Sequence, residues 1–299
     1  MWCRLPVVVR ALLTGVAAGA AGTLPWAGLV SANMKHGSVV PWAVPIMAAF
    51  LLLYWRYAAR GWGWPQSTAG ARRANARANA LHGDAWGAAL FAGMLGLVSI
   101  LLLQGVMSRL VVLPQQRDLD VSQYPALTVL LWVVMSAVVA GVVEETSFRG
   151  YLQRPIERRF GPVVAILISG SVFGFVHFTH PEVGLVLLPY YVAVAAVYGA
   201  LAYLTDSIFP SMVLHAGGNM FSALDLFTRG RSEWQLSTTP RTLVWQSGPD
   251  AAFLGNLVAL LVVGTLTVFA YAALAGATRG NRTADAALGA DIHLSGDPP

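Results

Sequence analysis

The chain has 299 residues, 56% of them hydrophobic and 11% charged, with a net charge of +5. A soluble domain carries about 25% charged residues, so this composition excludes a soluble globular protein and indicates an all-α polytopic membrane protein. Nucleic acid is excluded as a partner because no basic stripe carries interleaved aromatics. Cys3, the only cysteine, permits neither an intramolecular disulfide nor a cysteine-based metal site.

A bilayer core of roughly 30 Å takes about 20 mostly apolar residues as helix. By that rule the chain holds about eight transmembrane helices, near 11–33, 39–55, 85–107, 124–146, 162–180, 184–204, 210–227 and 251–277. The first is rich in Gly and Ala and contains Pro25. It reads as an uncleaved span, because apolar character continues past any obvious cleavage site; a signal peptide is the alternative. The segment 61–83 is a small-residue, arginine-rich loop whose expected task is topological, with contact to anionic headgroups second. Residues 1–123 therefore form an N-terminal group of spans, 124–227 a catalytic core in roughly spans four to seven, and 228–299 the last span and a disordered tail.

Orientation follows from the basic residues. With both termini on one side, that side holds 13 of the 19 lysines and arginines, Arg149 included, and the other holds 6. The expectation is a multi-pass protein of the cell membrane, with the lipid bilayer as its surroundings and both termini cytoplasmic.

The polar residues inside these spans carry the chemistry. Ionised side chains at membrane depth are costly and mark functional sites. Glu144 and Glu145 stand about 100° apart on a helix. Arg149 follows Glu145 by four residues, so those two pair, leaving Glu144 to act as a general base. His177 lies in an otherwise apolar helix with Phe173 one turn back, placed to wall a pocket. His215 and Asn219 share a helix face, and Gly217 and Gly218 leave room for a neighbouring helix or a substrate backbone. His180, before Pro181, is a loop or helix-end residue. Taken alone, the acids could serve only as ion pairs, and either histidine could be a packing residue.

Peptide hydrolysis needs a base for water and donors for the oxyanion. Glu144 with His177 supplies the first, and His215 with Asn219 the second. A zinc site built from Glu144, His177 and His215 is the rival use. The His-Glu-x-x-His and Gly-x-Ser-x-Gly motifs are absent, against a common zincin and against a serine hydrolase of that kind.

Glu144-Glu145-Thr146-Ser147-Phe148-Arg149-Gly150, then Phe173-Gly174-Phe175-Val176-His177, then Ser207 to Asn219 (SIFPSMVLHAGGN) fall in order on successive apolar helices. They resemble the three motifs of the CAAX-processing and bacteriocin-processing (CPBP, or Abi) intramembrane endopeptidases, which are related to type II CAAX prenyl proteases. The resemblance covers roughly residues 124–227. It implies an intramembrane endopeptidase with a cavity open towards the cytoplasm, a family often labelled as metalloproteases whose better-understood members look like metal-independent glutamate proteases. Glu144 would activate water with His177 assisting. His215 and Asn219 would stabilise the oxyanion, and Glu145, Arg149 and Phe173 would support the site. No cofactor is expected, with zinc the alternative. The implied substrate is a membrane-associated peptide or protein, lipidated in the CAAX-processing branch. A non-catalytic immunity or scaffold protein and a proton-coupled transporter are the competing functions; the transporter is weakened by the lack of a paired inverted repeat.

One conflict of depth follows. Glu144 ends its span as drawn, whereas His177 is about 15 residues into the next, roughly 22 Å along it. A shared cavity requires the fifth helix to begin outside the bilayer or the fourth to continue past Arg149.

Overall fold

The computed structural model describes residues 4–37, 39–113, 121–178, 181–222 and 242–295, with the backbone alone for 181–184 and 279–295. The described residues form helices and no strands. The longer ones are α1 (Val7–Lys35), α2 (Ala43–Ala58), α3 (Ala69–Ala76), α4 (Gly83–Leu110), α5 (Ala126–Phe160), α6 (Pro162–Val176), α7 (Pro181–Thr205), α8 (Phe209–Ser222) and α9 (Ala251–Ser295), with single turns at Gln66–Thr68 and Val244–Ser247. Five of them are long and apolar enough to cross a membrane: α1, α4, α5, α7 and α9. Each of the other expected spans has its helix, but α2, α6 and α8 have 16, 15 and 14 residues, short of the ~20 that a full crossing takes. α6 stops at Val176, four residues earlier than expected.

α5 is the axis of the fold. It does not end near Arg149 but runs on to Phe160, and its middle, Ala140–Gln153, has π-helical winding. Such winding is rare and concentrates at functional sites. α1 lies antiparallel against it through small residues. A Cβ on Gly22 would stand 2.4 Å from Val143 Cγ1, and Ser147 Oγ donates to the Gly15 carbonyl at 2.7 Å. At the far end of that pair the α1–α2 turn folds around buried Asn33. Its Nδ2 donates to the carbonyls of Gly37 and Val40, while its Oδ1 accepts from the Ala43 amide and Trp132 Nε1.

The arginine-rich segment 61–83 is structured rather than only a charged loop. Arg72, 5% exposed, donates to the carbonyls of Tyr57, Gly61, Trp62, Gly63 and Pro65, gathering the turn around itself. Arg77, 1% exposed, pairs with Glu157 at the end of α5 and with Asp206 between α7 and α8. Two arginines of the segment expected to be a topological loop are thus interior, because unpaired backbone and carboxylate oxygens there need donors.

α9 packs along α4, with Tyr271 donating to the Val197 carbonyl of α7 at 2.8 Å. Its outer face exposes Val258, Leu261, Val262, Leu266 and Phe269, as a lipid-facing helix does. Asp250 caps it: Oδ1 accepts the Phe253 amide at 2.8 Å and Oδ2 meets Arg109 at 2.6 Å. The helix continues through the segment expected to be disordered, as far as Ser295, where the run Ala284-Asp285-Ala286-Ala287-Leu288 is rich in helix formers.

Candidate active site

The continuation of α5 resolves the conflict of depth. Glu144 lies 17 residues before Gly161 and His177 16 residues after it. Gly161 reverses the chain at φ +82°, a left-handed conformation that glycine adopts without Cβ strain. The antiparallel helices α5 and α6 therefore bring the two side chains to one level. The fourth expected span is deeper than drawn, and the basic run Arg154, Arg158 and Arg159 is its last turns rather than a loop.

Glu145 and Arg149 are both fully buried and pair at 3.2 Å (Oε1 to an Arg149 terminal nitrogen). The guanidinium makes no directed hydrogen bond among the described residues. Its charge is met instead by Glu145 and by the ring faces of Phe173 at 5.1 Å and Tyr198 at 5.2 Å, a cation–π arrangement that gains strength when dry. Glu145 has a second partner that residue spacing does not reveal: His215 Nδ1 lies 2.8 Å from the same Oε1. A carboxylate ion-paired to arginine accepts, so His215 donates through Nδ1–H, and its Nε2 turns to Glu144, 3.8 Å from Oε2. Glu145 thus fixes the tautomer and direction of the imidazole, as well as neutralising Arg149.

His177 closes α6. Its Nδ1 lies 2.7 Å from the Phe173 carbonyl oxygen, to which it donates, leaving Nε2 for the cavity. Phe173 sits between the two histidines, with ring centroids 4.4 Å from His177 and 6.5 Å from His215. Two tyrosines of α7 complete the frame. Tyr198 stacks on His215 at 5.1 Å and 10°, and Tyr191 on His177 at 5.2 Å and 28°. Sequence reading missed both, although their spacing of seven residues in an apolar helix places two amphipathic rings on one face. Below the site the stripe continues as Gln153 and Glu157, joined at 3.3 Å, with Gln153 also donating to the Gly199 carbonyl.

Glu144, Phe173, His177, His215 and Asn219 line one cavity of about 480 Å³ with Tyr191 and Tyr198, the size of a ligand-binding pocket. Its remaining wall is mostly apolar, including Trp26 and Met34 of α1, Ile100 of α4 and Trp132 of α5. Glu145 and Arg149 are behind the wall. Gly217 does not serve close packing, since a Cβ there would meet nothing within 4 Å. The close approach is made from α5, where a Cβ on Gly141 would stand 2.8 Å from the Met212 carbonyl oxygen of α8. His180 lies outside the described residues.

Among the described residues no three His, Cys, Asp or Glu side chains gather as a metal ion's ligands would. His177 and His215 each spend Nδ1 on a protein oxygen, which leaves Nε2 as the ring nitrogen available to the cavity. The cavity extends from the site only away from the arginine-rich end.

No curated protein and no solved structure matches the chain. A family model does: residues 126–221, 96 of the 299, match the one described as type II CAAX prenyl endopeptidase Rce1-like. The matched segment, about a third of the chain, contains Glu144, Glu145, Arg149, Phe173, His177, His215 and Asn219, and over it the chain is similar to the Rce1-like type II CAAX prenyl endopeptidases.

Proposed function

We propose that the chain is an intramembrane endopeptidase that hydrolyses a peptide bond in a membrane-associated protein or peptide, using water activated by Glu144. The observation that carries this reading is the convergence of Glu144, His177, His215 and Asn219 on one apolar cavity, with His215 held by Glu145. α2, α6 and α8 complete eight passages of the chain through the bilayer zone, and both termini lie in the cytoplasm.

The reaction runs in two steps. Glu144 takes a proton from water as the oxygen attacks the scissile carbonyl carbon, and the carbonyl π pair moves onto oxygen. The resulting oxyanion accepts from Asn219 Nδ2 and from His215 Nε2 in its imidazolium form. Collapse then breaks the C–N bond, and the proton held by Glu144 passes to the leaving amine with His177 assisting. Donors fixed in a dry site stabilise developing charge far more than in water. Glu145 and Arg149 touch no reacting atom; they position His215. A metal ion has no part in this scheme.

Two measurements test the proposal together. Glu144→Gln and His177→Ala should insert and fold normally yet leave the substrate uncut, and elemental analysis of the active protein should find it active without bound zinc. A cellular phenotype that survives both substitutions would identify a scaffold. Activity lost on chelation and restored by zinc would refute the metal-free scheme.

A further inference from the structure

The cavity is one-sided. From the level of Glu144 it is lined by residues nearer the far end of each helix: Trp26 to Met34 on α1, Val129 to Ala140 on α5, Tyr190 to Tyr198 on α7 and His215 to Ser222 on α8. In the other direction the bundle is closed. Arg149, Leu152, Gln153, Ile156, Leu201 and Ile208 are each 0–1% exposed. Beyond this plug the Arg77–Glu157 and Arg77–Asp206 pairs join α3, α5 and the α7–α8 turn. At the open end Met34, Val121 and Ser222 are half-exposed.

The two ends differ in charge. With Arg149 at the site, 18 lysines and arginines remain, and the helix ends that flank them in sequence assign 12 to the plugged end and 6 to the open end. Basic residues are retained on the cytoplasmic side of a membrane. The plugged end is therefore cytoplasmic and the open end faces out.

We infer that the cavity is entered from the extracytoplasmic side, so that its substrates are exported peptides or outward-facing segments of membrane proteins rather than cytoplasmic chain ends. The substrate class rests on the hydrolytic reading of the site; the sidedness does not. From Glu144 to Glu157 the helix rises through 13 residues, roughly 20 Å, and Glu145 to Gln153, Ile156 and Glu157 along it are all buried against neighbours. A cytoplasmic peptide would have to open that plug to reach Glu144, whereas an outward-facing one enters space already present.

Cysteine accessibility tests this on the full chain. With Cys3→Ser as background, Ser222→Cys in the cavity and Ser67→Cys on the exposed turn before α3 are expressed separately in a bacterium. Spheroplasts are then treated with a membrane-impermeant maleimide before or after lysis. The inference expects Ser222→Cys to be labelled equally in both, and Ser67→Cys only after lysis. The reverse pattern overturns it. Ser122→Cys, on the exposed loop before α5, guards against a cavity variant that does not fold. If Ser122→Cys labels in intact spheroplasts while folded Ser222→Cys labels in neither condition, an open outer mouth is refuted. Labelling needs no catalysis, so its failure leaves the hydrolytic reading standing. A correctly labelled chain that cuts nothing sinks that reading alone.

Discussion

Gly141→Ala separates a site held by helix contact from one that merely contains the right residues. The new Cβ would stand 2.8 Å from the Met212 carbonyl oxygen and 3.0 Å from Ala216 Cβ. Neither atom can rotate away, so α5 and α8 must part by about 0.6 Å to restore ordinary van der Waals contact. His215 lies between Met212 and Ala216, and its 2.8 Å bond to Glu145 would stretch to about 3.4 Å, beyond the normal range for such bonds. Overpacking of this kind costs about 1–3 kcal/mol, and misplacing a catalytic group by ~1 Å costs up to ~10²-fold in rate. Gly217→Ala is the control, on the same helix one residue beyond Ala216, in open space. It should raise stability by up to ~1 kcal/mol and leave the rate unchanged. The assay is thermal unfolding in detergent, together with cleavage of the peptide that distinguishes wild type from Glu144→Gln. Equal rates and equal unfolding temperatures for the two alanine variants would refute the reasoning.

Arg149→Leu should be strongly destabilising, by about 3–5 kcal/mol, because it strands the buried Glu145 carboxylate. Adding Glu145→Gln should restore part of the stability but none of the activity, since His215 loses its anchor; recovery of activity would deny Glu145 its positioning role. Asp250 gives a pH dependence. The Phe253 amide and then Arg109 hold its carboxyl below the ordinary range, so its contribution to the α4–α9 contact is present above the unfolded pKa and is lost as pH falls through the folded one. Unfolding followed down from neutral pH should show extra acid lability in wild type that Asp250→Asn, already weakened, does not show. Identical acid profiles would contradict this.

The residues that gather at the cavity were more legible in the sequence than the architecture that gathers them. Glu144, His177, His215 and Asn219 stood out because each is polar in an apolar helix, and Arg149 because it follows Glu145 by four residues. The bond from Glu145 to His215 was hidden: it joins residues 70 apart, and hydropathy says which segments are helices but not which faces meet. The length of α5 was also hidden. Arg149, Gln153, Arg154 and Glu157 lie beyond the span as drawn, whereas inside the fold Arg149 pairs with Glu145, and Gln153, Arg154 and Glu157 pair with one another, with Arg77 and with the Gly199 carbonyl. Asn33 and Arg72 were passed over for the same reason, since their partners are backbone carbonyls that no side-chain pattern displays.

The central claim is that Glu144 drives hydrolysis by water inside this cavity. Membranes carrying wild type or folded, inserted Glu144→Gln would be incubated in H₂¹⁸O and their peptides compared by mass spectrometry. The account predicts new carboxyl termini containing ¹⁸O in the wild-type sample, reduced at least ~10²-fold by the substitution, as expected for loss of a general base. The same labelled termini at the same rate in both samples would contradict it.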